Sequence, residues 1–277
     1  MSVAFVNNTK TVLLLGALMA LVVGVGFALG GPNAIVPALV FAIIMNFAAF
    51  FFSGSIAIKS MRGREVTSGQ LFELVDDLRQ RAGLPMPRVY VCPHQAPNAF
   101  ATGRSPKHAA VAVTEGALQL LSRDELAGVM AHELAHVKNR DTLTSTVAAT
   151  VGGLMGMLAY GMMFFGGGNR EGGNPLFAIG AILLGAVGAA VIKAMLSRSR
   201  EFVADAHGAA IAGSPDGLIG ALRKLEMYSK RIPMQNPNPA QNNLFIIEPL
   251  TGGKTLSNLF ASHPPTEKRV AALMQAR

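Results

Sequence analysis

The chain has 277 residues, of which 51% are hydrophobic and only 14% charged, where an average soluble domain carries about 25% charged residues; a wholly soluble protein is excluded. Its net charge of +8 does not gather into a basic stripe with interleaved aromatic residues, which excludes nucleic acid as a partner. The single Cys92 excludes an intramolecular disulfide, fits a reducing compartment, and reads as a small buried apolar residue.

No charged residue lies between Lys10 and Lys59. Uncharged runs of about 18 or more residues read as membrane-spanning helices, and this run is long enough for two. Gly30-Gly31-Pro32-Asn33 divides it into helices over about 11–30 and 34–57 joined by a tight turn. A cleaved signal peptide is the competing reading of the first helix. Its length, and the second apolar segment that follows at once, favour a retained pair.

Residues 59–141 read as soluble structure. Thr67 and Gln70 have capping-box spacing before a helix that runs to Gly83. Arg88–Cys92, Asn98–Thr102 and Ala109–Val113 are strand candidates. Ser122 and Glu125 form a second capping-box pattern, opening a helix that contains His132.

Two further spans are expected at about 143–166 and 175–196, because charge is again absent from Asp141 to Arg170 and from Glu171 to Lys193. The second runs on into the polar stretch Ser197–Gly213. A helix near 215–230 and a Pro/Asn-rich loop at 233–243 follow. A last helix starts near Thr266, with Pro264 and Pro265 suited to its first turn. Lys59, Arg62 and Arg64 follow one apolar run, and Lys193, Arg198 and Arg200 another. Basic flanks mark the cytoplasmic side, so four spans put both termini and both polar segments there.

The chemistry concentrates in His132-Glu133-Leu134-Ala135-His136. On a helix, positions i and i+4 share a face, so both imidazoles can reach one ion with Glu133 beside them. Zinc suits such a site: it takes imidazole and carboxylate ligands and leaves a fourth position for water, and it lowers that water's pKa to roughly 7. A third protein ligand is needed. Glu201 leads because a helix leaving the fourth span returns it to the interface from which the His132 helix enters. Asp205, one turn on, can orient a ligand histidine through its free ring nitrogen. Asp205 itself or His207 remains an alternative ligand. His94 and His108 read as ordinary histidines, and the fifteen Phe and fourteen Met as lipid-facing or core filling.

Together, His132-Glu-x-x-His136, Glu201-x-x-x-Asp205, Asn98-Ala-Phe-Ala-Thr-Gly103 and His263-Pro-Pro-x-x-x-Arg269 resemble the HtpX family of bacterial membrane proteases. These are relatives of the CAAX prenyl endopeptidase within the gluzincin group, and the resemblance covers nearly the whole chain. It implies an endoprotease of the bacterial cytoplasmic membrane that cleaves misfolded or damaged membrane proteins. It also implies one zinc (Zn2+) at His132, His136 and Glu201, with Glu133 as general base and then proton donor. Asn98, Ala99 and Phe100 resemble the gluzincin edge strand, which pairs with extended substrate. His263 and Arg269 resemble the groups that stabilise the oxyanion.

The expected fold is an α+β membrane protein. Four transmembrane helices carry a mostly helical, gluzincin-like zinc protease domain with a small β-sheet. Along the chain this gives helices 1 and 2 (1–58), a catalytic segment (59–141), helices 3 and 4 (142–197) and a second catalytic segment (198–277). A scaffold with a structural zinc fits less well, since such sites are usually closed by four ligands, often Cys, and would have no use for Glu133. A transporter would place ionisable residues within its spans, and these carry none.

Overall fold

The computed structural model describes residues 3–145, 147, 198–229 and 264–275. The expected spans at 143–166 and 175–196, the loop at 233–243 and His263 lie outside or almost wholly outside those residues.

Two long helices open the chain, α1 (Val3–Gly30) and α2 (Ile35–Ser60). Between them Gly31 takes a left-handed conformation (φ 63°) and Pro32 opens one 3-10 turn, as the Gly-Gly-Pro sequence requires. Both helices are long and apolar enough to cross a membrane, over Phe5–Phe27 and Pro32–Ser60. Helix α1 begins earlier than its apolar run predicts. Thr9 and Thr11 donate their hydroxyls to the carbonyls of Phe5 and Asn7 one turn back, so polar residues join the helix without orphaned groups. The two helices cross closely at Gly26, where a Cβ would lie 2.5 Å from that of Ala38. Large apolar side chains on both point outward, with Val12 69% and Val36 68% exposed.

Next come β1 (Arg64–Val66), α3 (Gln70–Ala82), β2 (Arg88–Cys92), β3 (Ala99–Thr102), β4 (Ala110–Thr114), α4 (Glu115–Leu120) and α5 (Arg123–Asn139). The strands form one mixed sheet in the order β1-β2-β4-β3, parallel only between β2 and β4. Strand β1 is not among the sequence expectations; three residues are too few to show an alternation. It ends at Val66, the chain bends at Ser68 and Gly69 (φ 92°), and α3 starts at Gln70 with Gly69 as its N-cap and no side-chain cap. The Thr67–Gln70 capping box does not form. The Ser122–Glu125 box does, with both reciprocal hydrogen bonds present.

After the described residues resume, α6 (Arg198–Ala212) and α7 (Asp216–Ser229) pack on α5, and α8 (Thr266–Gln275) packs on α6 and α7. The main core joins Val75 and Leu78 of α3, Val129, Met130 and Leu134 of α5, Leu218 and Leu222 of α7, and Leu273 of α8. One glycine sets the spacing around the metal helix. A Cβ on Gly208 would lie 2.8 Å from His132 Cα, so α6 runs in backbone contact with α5 beside its first histidine. Helix α5 is therefore buried on nearly all sides.

Candidate metal centre

His132 and His136 project from one face of α5, as the four-residue spacing dictates. Glu201, in the first turn of α6, faces them. His132 Nε2 lies 3.1 Å from His136 Nε2, and the Glu201 carboxylate oxygens lie 3.6 Å from each of these nitrogens. All three side chains are buried or nearly so, and their ligand atoms form the one three-residue metal-binding group among the described residues.

Each imidazole is backed by a carboxylate. His132 Nδ1 lies 2.9 Å from Asp205 Oδ1 on α6, and His136 Nδ1 lies 2.9 Å from Asp141 Oδ2. A ring nitrogen facing a carboxylate carries the proton, so both Nε2 atoms turn lone pairs towards each other and towards Glu201. Arg200 Nε stands 3.4 Å from one Glu201 oxygen, and three electron-rich donors converging out of water favour a further cation between them. Ligand atoms about 2.0–2.1 Å from a tetrahedral zinc lie about 3.4 Å apart, a spacing that 3.1 and 3.6 Å bracket. The residues fit zinc.

Without metal, a proton fills the role. Burial works against a charged His136, but the Glu201 charge and the Asp141 hydrogen bond prevail and raise its pKa to about 10. For His132, burial dominates and lowers the pKa to about 4. Glu133 is 5% exposed. Burial, aided by the Glu201 charge against the pull of His136, raises its carboxyl to about 7, and the backbone amide of Ala101 hydrogen-bonds to it. A carboxyl titrating near neutrality is suited to take and return a proton.

Asp205 is further held by Arg269 of α8, whose Nε donates to Oδ2 at 2.8 Å and whose Nη2 donates to Oδ1 at 2.6 Å. Burial disfavours the Asp205 charge, but this pairing outweighs it and lowers the pKa to about 2. Arg269 itself is 1% exposed, with Nη2 3.5 Å from His132 Nε2. The alternative ligands do not face the site. Asp205 stands behind His132, and His207 Nδ1 lies 3.2 Å from Asn139 Oδ1. Ala99 and Phe100 lie on β3, the outer strand of the sheet next to α5, with Asn98 just before it, and all three are buried.

Two residues here went unread in the sequence. Asp141 reaches His136 because Arg140 takes a left-handed conformation (φ 60°) at the end of α5. On an unbroken helix, residue 141 would stand about 140° around from His136. Asn7 of α1 donates its side-chain amide to Asp141 Oδ1 and to the Asn139 carbonyl, and Thr11 bonds Thr144 at 2.9 Å. The first long helix thus reaches the support of a metal-facing histidine.

Comparison with known proteins shows what the whole chain is similar to. A family model described as peptidase family M48 matches residues 65–277. A "Protease HtpX homolog" of Desulfatibacillum aliphaticivorans is 50% identical over 98% of this chain and 90% of its own. One from Syntrophotalea carbinolica is 47% identical over 96% and 98%, and one from Burkholderia cenocepacia 46% over 97% and 96%. Among solved structures, S. mikatae Ste24p has a similar fold, with a TM-score of 0.54 and 18% identity, covering 98% of this chain and 66% of that one.

Proposed function

The chain belongs to peptidase family M48 and is a membrane zinc metalloprotease of the HtpX type, and on that premise we propose how its residues divide the work. His132, His136 and Glu201 hold one zinc. The observation that carries this is the convergence of two carboxylate-backed imidazoles and a third carboxylate in a buried site. When bound there, zinc supplies a water of lowered pKa and polarises the scissile carbonyl.

Glu133 takes a proton from the attacking water and returns it to the leaving amine; no covalent acyl-enzyme forms. Asp205 and Asp141 fix the histidine tautomers so that both Nε2 atoms remain donors. Arg269, with Nε and Nη2 committed to Asp205, is assigned to holding that carboxylate rather than to the oxyanion; His263 keeps the oxyanion role. Extended substrate runs along β3 at Asn98, Ala99 and Phe100, where backbone pairing gives affinity without reading sequence. The Ala101 amide that bonds Glu133 couples this strand to the proton carrier.

The substrates are misfolded or damaged proteins of the bacterial cytoplasmic membrane. The chain crosses it four times, with α1 and α2 as the first hairpin and the second within 142–197. The segments 59–141 and 198–277, both termini and the site face the cytoplasm. Lys59 in the last turn of α2 and Arg62 and Arg64 just beyond it support that orientation.

Glu133→Gln tests the assignment in a casein or membrane-protein cleavage assay. Turnover should fall by about 10²–10⁴ with zinc retained. Cleavage at the parent rate would remove Glu133 from the mechanism.

A further inference from the structure

A cavity of about 340 Å³ lies where α2 meets the sheet, away from the metal centre. One wall is the membrane helix, at Phe51 and Gly54. The other is basic, with Arg88 at the start of β2 and Arg104, Lys107 and His108 in the loop between β3 and β4. Among the described residues no carboxylate lines it, and none pairs with Arg88, Arg104 or Lys107. Arg104 stands over the Phe51 ring, 5.1 Å from its centroid. The walls can meet so closely because a Cβ on Gly54 would already lie 3.3 Å from Gly103 Cα.

Depth identifies what such a cavity faces. Helix α2 covers 26 residues, about 39 Å at 1.5 Å per residue, against a hydrocarbon core of about 30 Å. The last turns of α2 therefore stand among the lipid headgroups. From the cavity wall at Phe51 down the helix, Phe47, Phe51 and Phe52 are each 40–55% exposed and offer acyl chains an apolar surface. Unpaired cations in a concave site above a lipid-facing aromatic surface match a phosphodiester with two hydrocarbon tails.

We propose that this cavity binds the headgroup of an anionic phospholipid, with the acyl chains lying along α2. The lipid is preferred to free phosphate because the Phe51 wall would gain nothing from an inorganic ion. Arg104 directly follows Gly103 at the end of β3, so the bound lipid sits two residues from the strand expected to carry substrate.

The test titrates phosphatidylglycerol or phosphatidylcholine into detergent-solubilised full-length protein, with bound lipid read by native mass spectrometry. The parent should prefer phosphatidylglycerol. Arg104→Gln with Lys107→Gln should lower that affinity by about fivefold per charge removed, and Lys107→Gln alone, at an exposed position, should show one such step. Lys59→Gln with Arg62→Gln removes equal charge from the same interface outside the cavity and should leave the affinity unchanged. Equal losses in both pairs would reduce the effect to diffuse attraction and overturn the proposal. So would equal binding of phosphatidylcholine, or displacement of the lipid by inorganic phosphate at matching concentration.

Discussion

At the metal centre the histidines differ in what opposes their charge. His136 faces Glu201 and Asp141, which raise its pKa to about 10 despite burial. Its folded pKa stands above the ordinary 6.5, so protonation stabilises the metal-free protein fully below pH 6.5, and that contribution is lost as pH rises towards 10. Zinc must displace the same proton. Zinc affinity of the metal-free protein should therefore climb about tenfold per pH unit between 6.5 and about 10, measured by competition with a chelator; a flat profile contradicts the site. The supporting carboxylates can be separated as well. Asp141→Asn and Asp205→Asn should each weaken zinc by about 10–100-fold. Only Asp205→Asn should also destabilise the fold markedly, by about 3–5 kcal/mol in denaturant unfolding, since it removes the charge that the buried Arg269 guanidinium meets with two hydrogen bonds. At this scale the sequence was most legible: spacings of four on helices put His132 with His136, and Glu201 with Asp205, on shared faces. Asp141 stayed hidden because its placement depends on the left-handed Arg140, which no spacing rule announces.

Elements bring these residues together through close approaches. Gly208 lets α6 touch α5 at His132, and Glu201 lies two turns earlier on the same helix. Gly208→Ala should cost about 1–3 kcal/mol and lower zinc content although it alters no ligand; unchanged zinc would show that α6 can shift without moving Glu201. Helix α1 is coupled in the same way. Asn7→Ala removes the amide that holds Asp141 and should weaken zinc severalfold, and Asn7→Asp should weaken it more, because two carboxylates would face each other. A zinc affinity equal to the parent's in both variants contradicts that coupling. Strands β2, β3 and β4 were readable to within a residue or so from β-branched and alternating runs. Strand β1 was not, since its pairing with Val89–Val91 creates it, and the Thr67 cap does not form because Gly69, two residues on, is the N-cap of α3.

Across the molecule, three segments far apart in the chain, Arg123–Asn139, Arg198–Ala212 and Thr266–Gln275, meet at one buried point. Helical periodicity and capping located each helix, but no local pattern says that they converge. That expectation came from the combined motifs of a known family, and the shared face of α5 and α6 now gives it a physical basis. The membrane part was legible as far as α1 and α2 through missing charge alone, while the expected second pair of spans falls outside the described residues. The outward apolar faces of α1 and α2 run along the whole hairpin, while the support of the metal centre at Asn7 of α1 and the basic cavity at Phe51 and Gly54 of α2 both lie towards the end away from its turn.

Zinc stoichiometry by elemental analysis of the purified parent, Glu133→Gln and Glu201→Gln proteins addresses the central assignment most directly. The parent and Glu133→Gln should each carry one zinc per chain, and Glu201→Gln should carry far less. Equal zinc in all three would mean that the carboxylate at position 201 does not hold the metal.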